Sequence, residues 1–141
     1  MAAGFAPGRS DTAARAAQYR ARALELAEVE LHAYEPVLEA LRLPREDPGR
    51  AERISAAQAV ASESPLEVAR IGAELAELAA DLAGTGNPNL AGDAIAGALL
   101  AEAAAQAAAR LVAINLTDGP VVSEATSLAG RASVAREQAL K

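Results

Sequence analysis

The chain has 141 residues, no cysteine, a single histidine (His32) and a formal net charge of -6. Disulfides, thiolate catalysis and cysteine-held zinc are therefore excluded, one histidine argues against a histidine metal cluster or a serine–histidine triad, and the acidic balance lacks the basic footprint of a nucleic-acid or anionic-membrane binder. Apolar residues make up 52% of the chain but aromatics only 2%, so the core must be built mainly from alanine, which favours helix and buries little area per residue.

Residues 1–10 carry Gly4, Pro7 and Gly8 and read as a flexible arm ahead of a helical domain over 11–141. The first residues show neither a basic region nor a long apolar run, so no signal peptide is expected. No 18-residue apolar stretch runs free of charge, so no membrane span is expected, and a cytoplasmic location follows. Ser10 or Asp11 is a plausible cap for a first helix, along which Leu24, Ala27, Leu31, Tyr34, Leu38 and Leu41 keep helical spacing. Pro36 removes a hydrogen bond inside that pattern and predicts a kink or break near Tyr34–Glu35. Tyr34 reads as a core residue and His32 as an ordinary, partly exposed one.

Arg45-Glu46-Asp47-Pro48-Gly49 predicts a turn, with Asp47 capping a helix that runs to about Ser62. Ser64-Pro65-Leu66-Glu67 then carries the pattern of a capping box, with Ser64 as cap and Glu67 reaching back. Val68, Ile71, Leu75, Leu78 and Leu82 form the apolar stripe of the helix it opens. Gly84-Thr85-Gly86-Asn87-Pro88-Asn89 is the clearest loop. Leu90–Leu116 is small and apolar on nearly every face and predicts a buried helix. Thr117-Asp118-Gly119-Pro120 ends it, and a last helix runs to the C-terminus. The reading is all-α, about five helices in an alanine-rich bundle. Such small side chains would leave a lone subunit marginally stable, so a second subunit is expected to complete the packing.

Four segments in order resemble the formiminotetrahydrofolate cyclodeaminase and methenyltetrahydrofolate cyclohydrolase family. They are Glu28-Val29-Glu30-Leu31-His32-Ala33-Tyr34-Glu35 with Leu41-Arg42-Leu43-Pro44, then Pro65-Leu66-Glu67-Val68-Ala69, then Gly86-Asn87-Pro88-Asn89-Leu90-Ala91-Gly92-Asp93-Ala94, and finally Ile114-Asn115-Leu116. The third is the most specific, an unusual loop string in the expected place. The resemblance covers roughly residues 15–120. It implies an all-helical fold, a homodimer, and chemistry on the N5–N10 one-carbon unit of a tetrahydrofolate derivative, the folate being substrate and no further cofactor or metal being implied. The chain departs from the family pattern in three places. A Gly-rich segment and a small-residue helix that members carry ahead of the matched region have no counterpart, so the chain reads as N-terminally short. The family's active-site aspartate matches Glu30, and a family Asn and Arg match Leu111 and Ala113.

Cyclodeamination closes a ring when N10 attacks the formimino carbon and ammonia leaves; the cyclohydrolase step adds water to the methenyl carbon. Both need a positioned proton carrier, and carboxylates are the groups available here. The resemblance makes Glu30 the catalytic candidate; sequence pattern alone reads it as a solvated helix-face charge able to pair with a nearby arginine. Asn87 and Asn89 are candidates for the donor–acceptor edge of a pterin or, alternatively, loop and cap residues. Asp93 either contacts substrate or complements a helix dipole, and Asn115 either contacts ligand or satisfies a neighbouring carbonyl. The opposing reading is a catalytically inactive helical homologue serving as a dimeric structural or partner subunit.

Overall fold

The computed structural model of the chain describes residues 7–141. Six helices run in order: α1 Pro7–Ala33, α2 Glu35–Arg42, α3 Arg50–Ala61, α4 Glu63–Thr85, α5 Ala91–Asn115 and α6 Pro120–Ala139, with a 3₁₀ turn at Pro88–Leu90 between α4 and α5. The described residues contain no strand, and the all-α expectation is met. The arm read over residues 1–10 is helical from Pro7; its first six residues lie outside the described residues.

Pro36 breaks the first helical pattern where expected. The Tyr34 carbonyl takes the N–H groups of Val37 and Leu38 at 3.1 and 3.2 Å and starts α2 afresh. At the far end of α2 the Arg50 guanidinium donates to the carbonyls of Leu41 and Leu43, both at 3.2 Å, closing an otherwise open helix end. Asp47 ties the turn before α3 by accepting the Gly49 N–H at 2.8 Å. The capping box expected at Ser64 is not used. α4 begins two residues earlier than that cap implies, at Glu63 after Ser62, and Ser64 is buried with its hydroxyl 3.5 Å from the Leu26 carbonyl. Glu67 turns outward to Arg22 instead. Burial of the α4 start beneath α1 overrides the local cap signal.

α4, α5 and α6 form the centre. α5 runs antiparallel to α4, and α6 runs parallel to α4, as the pairs Arg70–Glu124 and Glu77–Arg131 show. Twelve residues make the buried cluster, and nine of them are alanines, among them Ala69, Ala73, Ala76, Ala105 and Ala132. Such side chains hold helices together only if the backbones come close. Gly72 marks the nearest approach: a Cβ there would stand 2.9 Å from the Ala101 carbonyl oxygen. α1 lies antiparallel along α4, pinned by Tyr19 on Glu74 and by a two-pronged Arg22–Glu67 pair at 2.6 and 2.8 Å.

The expectation that the Leu90–Leu116 helix is buried all round is corrected. Ala98, Ala101, Ala105, Ala108 and Val112 are buried, but Leu100 is 73% and Ile114 64% exposed. α4 and α6 cover α5 along its length, α3 and the 3₁₀ turn meet it only at its ends, and Leu100, Leu111 and Ile114 stay exposed. Pro88–Asn115 is also long and apolar enough to cross a membrane, although its inner face is part of the packed centre. Tyr34, expected in the core, is 44% exposed beside the α1–α2 break.

Candidate functional site

α1 and α5 both lie along α4, and between them opens a groove of about 690 Å³, within the range of small-molecule sites. Leu75, Leu78, Ala79 and Leu82 of α4 make its floor. Ala13 and Ala16 of α1 form one wall; Ala94, Gly97, Leu100 and Ala104 of α5 form the other. Its polar groups are Thr12, Asn87 and Asp93. The arrangement is an apolar slot with a polar end, suited to a flat ring with a hydrogen-bonding edge.

The polar end is set by the loop after α4. The Gly86 N–H donates to the Leu82 carbonyl at 2.9 Å, and any Cβ at Gly86 would collide with that oxygen. Asn87 then accepts the Asn89 N–H on its Oδ1 at 3.1 Å, capping the 3₁₀ turn. Its Nδ2 has no partner among the described residues, so Asn87 both caps and faces the groove. Asn89 is exposed and does not line the groove. Asp93, in the first turn of α5, does.

Glu30 and Asn115 stand elsewhere. Eighteen residues make five whole helical turns, so Glu30 lies on the same line of α1 as Thr12 but about 27 Å further along. It is exposed and without an ion pair among the described residues. Gly97 and Asn115 are also eighteen residues apart, and Asn115 is therefore about 27 Å down the opposite wall. Its Nδ2 donates to the Ala61 carbonyl at 3.4 Å, which is the neighbouring-carbonyl role. Both residues flank the start of α4, because Leu26 meets Ser64 there. One chain thus collects Asn87 and Asp93 at one end of the α1/α5 face and Glu30 and Asn115 at the other.

Sequence reasoning missed the pairs that hold the α1 wall. Arg22 keeps the Glu67 carboxyl below its ordinary value through its two hydrogen bonds, and the Tyr19 hydrogen bond raises Arg15. His32 is exposed, with Nδ1 3.0 Å from the Glu35 carboxylate. No group of three or more His, Asp or Glu side chains converges among the described residues.

No curated protein matches the chain. The sequence profile described as formiminotransferase-cyclodeaminase matches residues 3–128. That span takes in the α1 acidic segment, the Gly86–Asp93 string and the whole α4–α5 groove, and the chain accordingly belongs to the formiminotransferase-cyclodeaminase family.

Proposed function

We propose that the protein works on the N5–N10 one-carbon unit of a tetrahydrofolate derivative, as a cytoplasmic homodimer. The observation that carries this reading is the family match over residues 3–128 together with the apolar groove it encloses, ended by Asn87 and Asp93. The groove takes the flat pterin on its leucine floor. The Asn87 amide and the Asp93 carboxylate meet the ring's donor–acceptor edge, while Asn89 and Asn115 keep the alternative turn and neighbouring-carbonyl roles.

Glu30 is the proton carrier in this reading. In cyclodeamination N10 attacks the formimino carbon and loses its proton to the carboxylate. The tetrahedral aminal then collapses as the proton passes to the departing nitrogen, leaving ammonia and the methenyl cation. In the cyclohydrolase direction the carboxylate takes a proton from water as its oxygen adds to the methenyl carbon, and the ring opens to the formyl form. Such general catalysis contributes on the order of 100- to 10,000-fold. Glu replaces the family's aspartate with one more methylene, and a misplacement near 1 Å costs on the order of 100-fold, so turnover slower than in aspartate-bearing members is expected.

A second reading, a non-catalytic helical partner subunit, is favoured by the separation of Glu30 from Asn87 and Asp93 within one chain. Loss of the 5,10-methenyltetrahydrofolate chromophore decides between them. Wild type exceeding the buffer rate, with Glu30→Gln at buffer rate, supports the enzyme. Both proteins at buffer rate, with formiminotetrahydrofolate also inert, leaves the partner-subunit reading.

A further inference from the structure

The geometry points to a second small-molecule site on the far side of α5 from the leucine-floored groove: a cleft between α5 and α6 that takes a small aliphatic α-amino acid as its zwitterion. The inference stands apart from the folate reading and from any pairing of subunits.

The cleft encloses about 370 Å³, at the small end of the range for ligand sites. Its polar groups are Gln106 and Arg110 on α5 and Thr126 on α6. Gly97 lines the first groove, and Gln106, nine residues or about two and a half turns further on, projects from the opposite side of the helix. Arg110 supplies the anion-binding half. It is one of four arginines on α4, α5 and α6. Arg70, Arg131 and Arg136 each hold a glutamate at 2.7 to 3.0 Å, whereas Arg110 has no ion pair among the described residues. α5 carries no acid within a turn of it on either side, and Glu124, the acid on α6 just before Thr126, is held by Arg70. The planar guanidinium is thus left to grip a carboxylate with two parallel hydrogen bonds.

The other half can only accept hydrogens. The Gln106 amide nitrogen donates to the Ala129 carbonyl at 3.3 Å and to the Ser133 hydroxyl at 2.9 Å, which uses both of its N–H groups. Ser133 donates in turn to Glu102 at 2.8 Å, and Arg136 holds Glu102, so the amide is fixed before any ligand arrives. Its Oε1 remains as an acceptor. The Thr126 hydroxyl gives its one hydrogen to the Val122 carbonyl at 2.8 Å, and its oxygen likewise can only accept. A simple anion would face two acceptor oxygens beside the arginine, and a simple cation would face the guanidinium. A zwitterion satisfies both, with its carboxylate on Arg110 and its ammonium on Gln106 Oε1 and Thr126 Oγ1. The rest of the lining is Ala109, Ala113, Ala129 and Gly130. An added Cβ at Gly130 would meet nothing within 4 Å, which leaves room for a small aliphatic side chain.

Titration of the isotope-labelled full chain with L-valine, followed through its backbone amide resonances, tests the site. Saturable shifts are expected over residues 106–113 and 126–130, with Asn87 and Asp93 unmoved. Isovalerate lacks the ammonium and isobutylamine lacks the carboxylate; each should bind about tenfold more weakly than valine or worse, the worth of one hydrogen bond to a charged group. Arg110→Gln should weaken valine to a similar degree, and because Arg110 is exposed the fold should survive the change. Gly130→Leu should fill the cleft and abolish the valine shifts while resonances outside α5 and α6 stay in place. Isovalerate binding as tightly as valine reduces the cleft to a plain anion contact and overturns the proposal. So does the absence of saturable shifts, shifts centred elsewhere, or valine binding that neither Arg110→Gln nor Gly130→Leu changes.

Discussion

Replacing Gly72 by alanine tests how the alanine-rich centre is held together. Chain propensity alone says the change should help, because alanine gains about 1 kcal/mol over glycine inside a helix. The structure says otherwise. The new Cβ would stand 2.9 Å from the Ala101 oxygen and 3.0 Å from both the Ala105 nitrogen and the Ala105 Cβ. All three belong to the α5 backbone or its first side-chain atom, so none can swing away. Restoring ordinary contact near 3.5–4.0 Å requires α4 and α5 to part by about 0.5–1 Å, which forfeits a quarter to a half of the dispersion energy along the seam. Overpacking of this kind costs about 1–3 kcal/mol, and after the propensity gain the balance is a net loss of up to about 2 kcal/mol. Gly130, on α6, has nothing within 4 Å of the same imagined atom. Gly130→Ala should therefore stabilise by about 0.5–1 kcal/mol. Urea unfolding followed by far-ultraviolet circular dichroism, at one fixed protein concentration, reads both. A Gly72→Ala protein stabilised as much as Gly130→Ala would refute the close α4–α5 crossing.

Other expectations follow from single features. Gly119 holds φ +106° and ψ 178°, a region open essentially to glycine alone, so Gly119→Ala should cost about 1–3 kcal/mol in the same unfolding assay although nothing crowds the site. Arg22 holds Glu67, and Arg136 with Ser133 holds Glu102, below the ordinary carboxylate value of 4.5. A lowered folded pKa stabilises above that value, and the contribution is lost as pH falls through the folded value. Thermal midpoints should thus drop below about pH 4.5, and Glu102→Gln should flatten that slope. Glu30→Gln should leave stability within about 0.5 kcal/mol of wild type, because Glu30 is exposed and unpaired among the described residues. Asn115→Ala should cost about 1 kcal/mol by leaving the Ala61 carbonyl without its donor.

Local signals were readable where the backbone itself is constrained. Pro36 cannot donate a hydrogen bond, so the break at Tyr34 was visible in the sequence, and Gly86-Asn87-Pro88-Asn89 announced the loop that ends the groove. The start of α4 was misread because Ser64 is covered by α1, and no local pattern reports that cover. The ion pairs that join the long helices were equally hidden, since they link residues 34 to 54 positions apart. A faint signal existed: Arg70 and Glu77 on α4 face Glu124 and Arg131 on α6. Both pairs are spaced by two helical turns, with opposite order of charge. The exposed outer face of α5 was not visible because an apolar run of small residues reads alike whether all of its faces are covered or only one. For the candidate residues, the sequence reading carried no information on their separation: Glu30 and Asp93 stand at opposite ends of the α1/α5 face.

The central claim is that this α1/α5 face binds a reduced folate. Calorimetric titration of the purified protein with 5-formyltetrahydrofolate tests it without requiring turnover. The account predicts saturable binding at one ligand per protomer, weakened by Asn87→Ala and by Asp93→Ala while the fold is retained. No saturable heat with wild type, or binding that neither substitution changes, would contradict it.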